Sequence, residues 1–246
     1  MTRNPGLLVV ANHSKRRSGM SNGFIISVIA ILAVLVALGL PETRRAREPA
    51  RRSQCKNNLK QIMLGLCSYE EKYHAFPPAY TVDENGKPLH SWRTLILPYM
   101  DQAALYKNLD LTKPWDDPVN VTASKTIVRE YQCPSGQYPD GHTTYLTVVT
   151  PNSCLRPAQP RLSSEITDSH AETLVVIEVD VEHAVPWMAP TDADEAMLLA
   201  LGGKTTGPTH AGGRHAGFVD GSVRFLEVEL SPAKRRALIS ISGNDN

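Results

Sequence analysis

The chain has 246 residues, a formal net charge of +1, and 41% hydrophobic against 21% charged residues. That balance excludes a polycationic nucleic-acid binder and a charge-rich disordered chain, and no nucleic-acid partner is expected. The 170 residues beyond position 76 are enough for one domain with its own core.

Residues 1–23 are polar, with a basic cluster at Lys15-Arg16-Arg17, and read as a disordered leader. Phe24–Leu40 (FIISVIAILAVLVALGL) has no charge and one hydroxyl, Ser27. As a helix it covers roughly 25 Å of a ~30 Å hydrocarbon core, and it has no polar face to turn to water. It is expected to be a membrane span. No A-x-A-like exit follows it, so it is expected to stay in the mature protein.

After Pro41, apolar or aromatic residues at Cys55, Leu59, Ile62, Leu66, Tyr69, Tyr73 and Phe76 step by fours and threes, one helical stripe that Met63 widens. The spacing predicts one continuous or twice-kinked helix over about 24–76, with Pro41 and Pro49 as the kink sites and Pro77-Pro78 as its stop. A head domain over 77–246 follows. Asp83-Glu84-Asn85-Gly86 is a turn signal, and 91–109 reads as a short helix interrupted at Pro98. Residues 126–132 and 143–150 alternate like strands, and Thr173–Val179 (TLVVIEV) reads as a buried strand. Phe218–Phe225 is a hairpin signal with Asp220-Gly221 at its tip, and 231–241 a final short helix. The fold class is α+β: a long N-terminal transmembrane helix leading into a small antiparallel-sheet head.

Charge is unevenly placed. Seven basic residues lie between Arg44 and Lys60, and nine carboxylates fall between Glu165 and Glu195, where no Lys or Arg occurs. The expected picture is a basic stalk and an acidic, solvated head face. Among the four cysteines no pair has C-x-x-C spacing. Cys55 and Cys67, about 18 Å apart on one helix, cannot bond each other. Cys133 and Cys154 bracket two strand-like segments and are one candidate pair.

Gly23-Phe24, between a basic leader and an apolar run, resembles a type IV prepilin processing and anchor signal. Arg51-Arg52-Ser53-Gln54-Cys55-Lys56-Asn57-Asn58-Leu59-Lys60, Phe76-Pro77-Pro78, His90-Ser91-Trp92-Arg93, Leu97-Pro98-Tyr99, Pro114-Trp115 and Cys133-Pro134-Ser135 follow in order. His210, nine further residues and Asp220-Gly221 close the set. Together, over about 23–228, they resemble a bacterial pilin-like family of unknown function with a prepilin-type N-terminus and a C-terminal His-x9-Asp-Gly motif, once labelled solute-binding. The resemblance implies a single-pass membrane protein with its N-terminus cytoplasmic and its head exported. The implied partners are the membrane and like or related pilin-type subunits. The excess of basic residues after the span argues for the opposite orientation. Because the family carries both cysteines in its motifs, Cys55 is the rival partner for Cys133. The family's Glu, fifth after the processing site, is replaced by Val28, which points to a minor subunit or a plain anchored protein rather than a filament builder.

His210, His215 and Asp220 are candidate metal ligands, but their spacing fits no standard zinc pattern. His210, Asp220 and Gly221 are therefore expected to be architectural, with no metal and no cofactor. His90, Trp92 and Arg93 are the candidate pocket residues. No nucleophile elbow, phosphate loop or dinucleotide fingerprint is present, so no enzyme is expected. The expected function is a pseudopilin-like structural or accessory subunit of a secretion or pilus-like assembly or of the cell surface. The rivals are an exported solute- or glycan-binding module and, more weakly, a metal-dependent hydrolase around His210 and Asp220.

Overall fold

A computed structural model describes residues 22–39, 42–200, 210 and 212–243. The basic leader before Asn22, and Leu40-Pro41, lie outside the described residues. The chain forms two compact units, Met1–Ala46 and Arg47–Asn246. The contact boundary therefore falls far upstream of the 76/77 division drawn from sequence.

Helix α1 spans Asn22–Gly39, 18 residues without a charge. Among the described residues no helix is long and apolar enough to cross a membrane; α1 itself rises about 27 Å. The expected membrane span is thus not found among the described residues. The helix expected over about 24–76 is described in two parts, α1 and then α2 over Glu42–Tyr73, which runs through Pro49. It stops at His74, whose φ of 54° is left-handed, and Ala75–Phe76 turn into strand β1.

The remaining strands are β2 (Tyr80–Val82), β3 (Pro88–Ser91), β4 (His142–Thr143), β5 (Tyr145–Leu146), β6 (Arg161–Leu162), β7 (Leu174–Glu178), β8 (Val185–Pro186), β9 (Gly213–Phe218) and β10 (Val223–Glu227). The short helices are α3 (Trp92–Leu95), α4 (Ala103–Lys107), α5 (Val121–Ser124), α6 (Glu195–Ala200) and α7 (Pro232–Ala237). The α+β class holds. The expected strand over 126–132 is absent: a 3-10 turn occupies Arg129–Tyr131.

The main sheet is antiparallel in the order β10-β9-β7-β5. Leu174 faces Phe218 and Val176 faces Gly217, two residues of advance against one, so β7 bulges there. The bulge puts Val175 and Val176 together with Cys55, Leu59, Ile62, Met63 and Leu66 of α2 in one buried cluster. Leu174, Ile177, Ala216 and Phe218 pack on the opposite face with Leu198 of α6 and Leu238 and Ile239 after α7. The helical stripe read from sequence is the seam, fully buried at all five of those α2 positions. Gly217 permits the close approach, because a methyl there would overlap the Met63 side chain.

The hairpin after β9 departs from expectation in type. Gly221 N–H closes a turn onto Phe218 C=O at 2.8 Å and itself takes φ 79°, whereas Asp220 is not among the positive-φ residues. The connection is a longer loop ending on a left-handed glycine, not a two-residue turn with both central residues left-handed.

His90, Trp92 and Arg93, expected to line a pocket, lie in the interior at 0% exposure. Ser91 caps α3 by accepting from Arg93 N–H, which drives the Arg93 side chain inward. All five guanidinium donors are used: Nε to Trp187 O (2.8 Å), Nη1 to Tyr145 O (3.2 Å) and Asp192 (2.6 Å), and Nη2 to Ala189 O (3.1 Å) and Thr191 O (2.9 Å). Trp92 Nε1 and Thr147 N–H also donate to Asp192 Oδ1, each at 3.1 Å. His90 Nε2 sits 2.8 Å from Lys113 O. The Trp92 and Arg93 donors are spent on the protein itself, whereas His90 Nδ1 is buried without a hydrogen-bond partner.

Arg93→Met would leave Asp192 as a buried, uncompensated charge. We expect a loss of about 3–5 kcal/mol in unfolding free energy by urea titration. The Arg93→Met/Asp192→Leu double variant should recover only part of it, because the freed carbonyls stay unpaired.

Candidate functional site

The most unusual chemistry lies where α2 meets the β7 end of the sheet. Cys55 on the buried stripe of α2 is bonded to Cys133, with Cα atoms 5.0 Å apart and a sequence separation of 78. Cys154, the other candidate partner, is a free buried thiol, and Cys67 is also free. The pairing follows from how the 129–133 loop is held. Asn58, one turn along α2, donates its amide to Gln132 O (2.7 Å) and Arg129 O (3.3 Å). Tyr138 OH accepts from Cys133 N–H at 2.6 Å, and Tyr145 OH donates to Cys55 O at 3.2 Å.

Against the cystine lies a buried acid–base cluster. Glu178 ends β7, directly opposite Tyr145 of β5, and is 0% exposed. Its Oε2 is 3.4 Å from His210 Nε2 and 3.4 Å from His215 Nδ1. Its Oε1 is buried without a hydrogen-bond partner. His210 reaches this point because Gly212, at φ 86°, turns the chain so that His210 bridges to Gly213 at the start of β9. The His210 ring lies edge-on to His215, which in turn lies edge-on to Phe225, and the Arg52 guanidinium caps Phe225 at 3.5 Å. His210 Nδ1 is 3.2 Å from Glu48 Oε1, and Ser135 Oγ donates to the same oxygen at 3.2 Å. His210 Nε2 is also 3.7 Å from Cys133 Sγ.

Burial pushes the Glu178 carboxyl up, but the hydrogen bonds and charge of His210 and His215 outweigh it and hold the group below its ordinary value. Burial likewise pushes His210 down, yet Glu178 and Glu48 overcome it and raise the imidazole. Glu48 is lowered, the small cost of burial being exceeded by its bonds from His210, Ser135 and Arg51. The His210 ring thus sits between two carboxylates, Nε2 toward Glu178 and Nδ1 toward Glu48.

Within the second unit, the hairpin-tip residues expected at the site lie apart from this cluster. Asp220 and Gly221 are at the hairpin tip, where Asp220 Oδ1 accepts from Ser222 N–H at 2.9 Å. Gly23 lies near the start of α1, and Phe24 follows it there. Reasoning from sequence missed Glu178, Glu48, Tyr138 and Tyr145. The available signal was a carboxylate closing the otherwise apolar run TLVVIEV.

The acidic run does not make one solvated face. Glu178, Asp180 and Asp192 are buried, Asp180 against Arg214 at 2.8 Å and Asp192 against Arg93. Beside the cystine, an open cleft of about 560 Å³ is lined by Gln54, Asn58, Arg129, Gln132, Cys133 and Tyr138.

The sequence profile of a family described as "protein of unknown function (DUF1559)" matches residues 44–175. No curated protein matches the chain. No solved structure matches it either.

The cluster sets a pH window. The two carboxylates, depressed when folded, contribute stability above their ordinary value of 4.5 and lose it as pH falls through their lowered values. His210, raised when folded, contributes fully below its ordinary value of 6.5 and loses it as pH climbs through the raised value. The difference in melting midpoint between the native chain and His210→Gln should therefore be largest between pH 4.5 and 6.5 and shrink on either side. The cystine carries a separate expectation. Closing a loop of 78 residues is worth about 4.5 kcal/mol in the chain-entropy model. Reduction in the presence of a chelator should lower the melting midpoint by roughly 10 °C.

Proposed function

The chain belongs to the DUF1559 family, and from that premise we propose that it is a membrane-anchored, pseudopilin-like structural or accessory subunit of a secretion or pilus-like assembly or of the cell surface. The observation that carries this reading is α1. Its apolar side chains are bare around the helix: Ile26, Ile29, Ile31 and Leu32 are 66%, 61%, 60% and 55% exposed. Such a surface requires hydrocarbon or other apolar helices to cover it. Its one hydroxyl, Ser27, donates back to Gly23 O at 2.9 Å and is satisfied within the helix. A run of this length matches a bilayer by local thinning.

The anchor feeds, along the chain, into α2, which lies on an antiparallel sheet, the arrangement a pilin-type subunit needs. A disulfide fits an oxidising compartment, and so an exported head with the N-terminus in the cytoplasm. Gly23-Phe24 is then the processing site, and like or related pilin-type subunits are the partners. Val28, at the fifth position after it, provides no carboxylate for a neighbouring subunit's amine, which favours a minor or accessory role. In this reading the His-x9-Asp-Gly motif is architectural: its His braces α2 and its Asp-Gly forms a turn.

An exported solute- or glycan-binding module is the second reading, favoured by the polar cleft beside Cys133. Fractionation tests the first. The native chain should sediment with membranes and resist carbonate extraction. Ile29→Arg/Leu32→Arg, each charge costing about 2.5–3.5 kcal/mol at the centre of a span, should move it to the soluble fraction. A native chain recovered wholly soluble refutes the anchor.

A further inference from the structure

The geometry points to a thiol-gated metal site: once the Cys55–Cys133 disulfide is reduced, the two thiolates together with His210 and Glu178 form a buried tetrahedral site for a zinc ion. One ligand atom from each of these four residues lies within 4.8 Å of all the others, and all four residues are buried. Zinc in such a site has Zn–S near 2.3 Å and Zn–N and Zn–O near 2.0–2.2 Å, so its ligand atoms are roughly 3.3–3.8 Å apart. Two edges of that tetrahedron already have this length: His210 Nε2 to Glu178 Oε2 at 3.4 Å, and His210 Nε2 to Cys133 Sγ at 3.7 Å. On reduction the two sulfurs need only part to a normal ligand separation.

The surroundings are also those of a metal site. A ligating imidazole needs its other nitrogen protonated and held by an acceptor. Here Nδ1 faces Glu48 Oε1 at 3.2 Å, which leaves Nε2 for the metal. The Glu178 carboxylate is oriented by His215, and its Oε1 has no other partner. The open cleft that Cys133 lines would serve as the entry path.

The step is balanced by a dithiol reductant. One of its thiolates attacks Cys133 Sγ, and the Cys55 sulfur leaves as thiolate. The reductant's second sulfur then closes its own disulfide and releases Cys133. Two electrons pass to the protein sulfurs. Zinc then binds the two thiolates, the neutral imidazole and the carboxylate, and any protons on those ligands go to solvent. The expectation of no metal rests on the spacing of His210, His215 and Asp220 and on the lack of a C-x-x-C pair. The set here shares only His210 with those three, because Cys55, Cys133 and Glu178 come together only in the fold.

The test uses the full chain in detergent with Cys67→Ser/Cys154→Ser, so that no other thiol competes. Oxidised and dithiothreitol-reduced samples are desalted under argon and titrated with zinc chloride against a chromophoric chelator. Cobalt(II) chloride replaces zinc in a parallel absorption titration. The expected result is one zinc per reduced chain and none per oxidised chain. Cobalt should show thiolate charge-transfer and tetrahedral ligand-field bands, and zinc should restore the melting midpoint lost on reduction. His210→Ala and Glu178→Gln should abolish or strongly weaken binding, and Glu48→Gln should weaken it about tenfold or more. Equal zinc uptake by both redox states overturns the inference. So does a reduced chain that takes up no zinc or stays unfolded with zinc present, or a folded His210→Ala chain with undiminished affinity.

Discussion

A carboxylate at zero exposure sits at the end of the central strand, and the arrangement around it follows from the cost of putting it there. Removing an ion of that size from water costs several kcal/mol even after relaxation, so Glu178 survives in β7 only with imidazole partners at contact distance. Neither is near it in sequence. His215 arrives because β9 pairs beside β7. His210 arrives because Gly212 bends the chain back into the same corner. The second nitrogen of His210 then needs an acceptor, which Glu48 of α2 supplies. One buried charge thus ties the sheet to the helix lying across it.

The same logic recurs on a larger scale. The stretch Glu165–Glu195 lacks any Lys or Arg, so two of the carboxylates it buries are paired with arginines from elsewhere: Asp192 with Arg93 of α3 and Asp180 with Arg214 of β9. Arg93 also gathers carbonyls from Tyr145, Trp187, Ala189 and Thr191, segments too short and irregular to satisfy one another as strands. A head whose smaller sheets are paired strands of two to four residues needs such side-chain hubs, because ladder hydrogen bonds alone do not hold it.

This division explains what could be read from the sequence. Periodic burial was legible: the stripe from Cys55 to Leu66 is the seam, Leu174–Glu178 is the buried strand, and 218–225 is a hairpin. Each depends on a local pattern of period 3.6 or 2. What a distant partner decides was not legible. The alternation at 126–132 gave way to a 3-10 turn, because the loop is held by Asn58 of α2 and not by a neighbouring strand. His90, Trp92 and Arg93 read as a polar-aromatic pocket edge, yet the capped turn at Ser91 points them inward. The disulfide was left open by spacing, since Cys133 had a nearer candidate in Cys154; family resemblance named Cys55. Of the cluster, His210 was legible as a motif, whereas Glu178 looked like one acid in an acidic run.

The position of the cystine along α2 has a mechanical consequence. Any load borne by α1 enters the second unit through the backbone of α2. The first fixed points it meets are Glu48, bonded to His210 and Ser135, and then Cys55, the first residue of the buried stripe. Non-covalent packing of a helix gives way one turn at a time when pulled from its end, because each contact is lost before the next is loaded. A covalent bond at the leading edge of the seam prevents that sequence from starting, and the residues behind it, from Leu59 to Leu66, are shielded from load. The ionic contact at Glu48 lies ahead of the bond and yields first. Breaking the disulfide therefore removes both the chain-entropy constraint and the brake on peeling, and a metal held by the same sulfurs would restore the brake through His210 and Glu178 of the sheet.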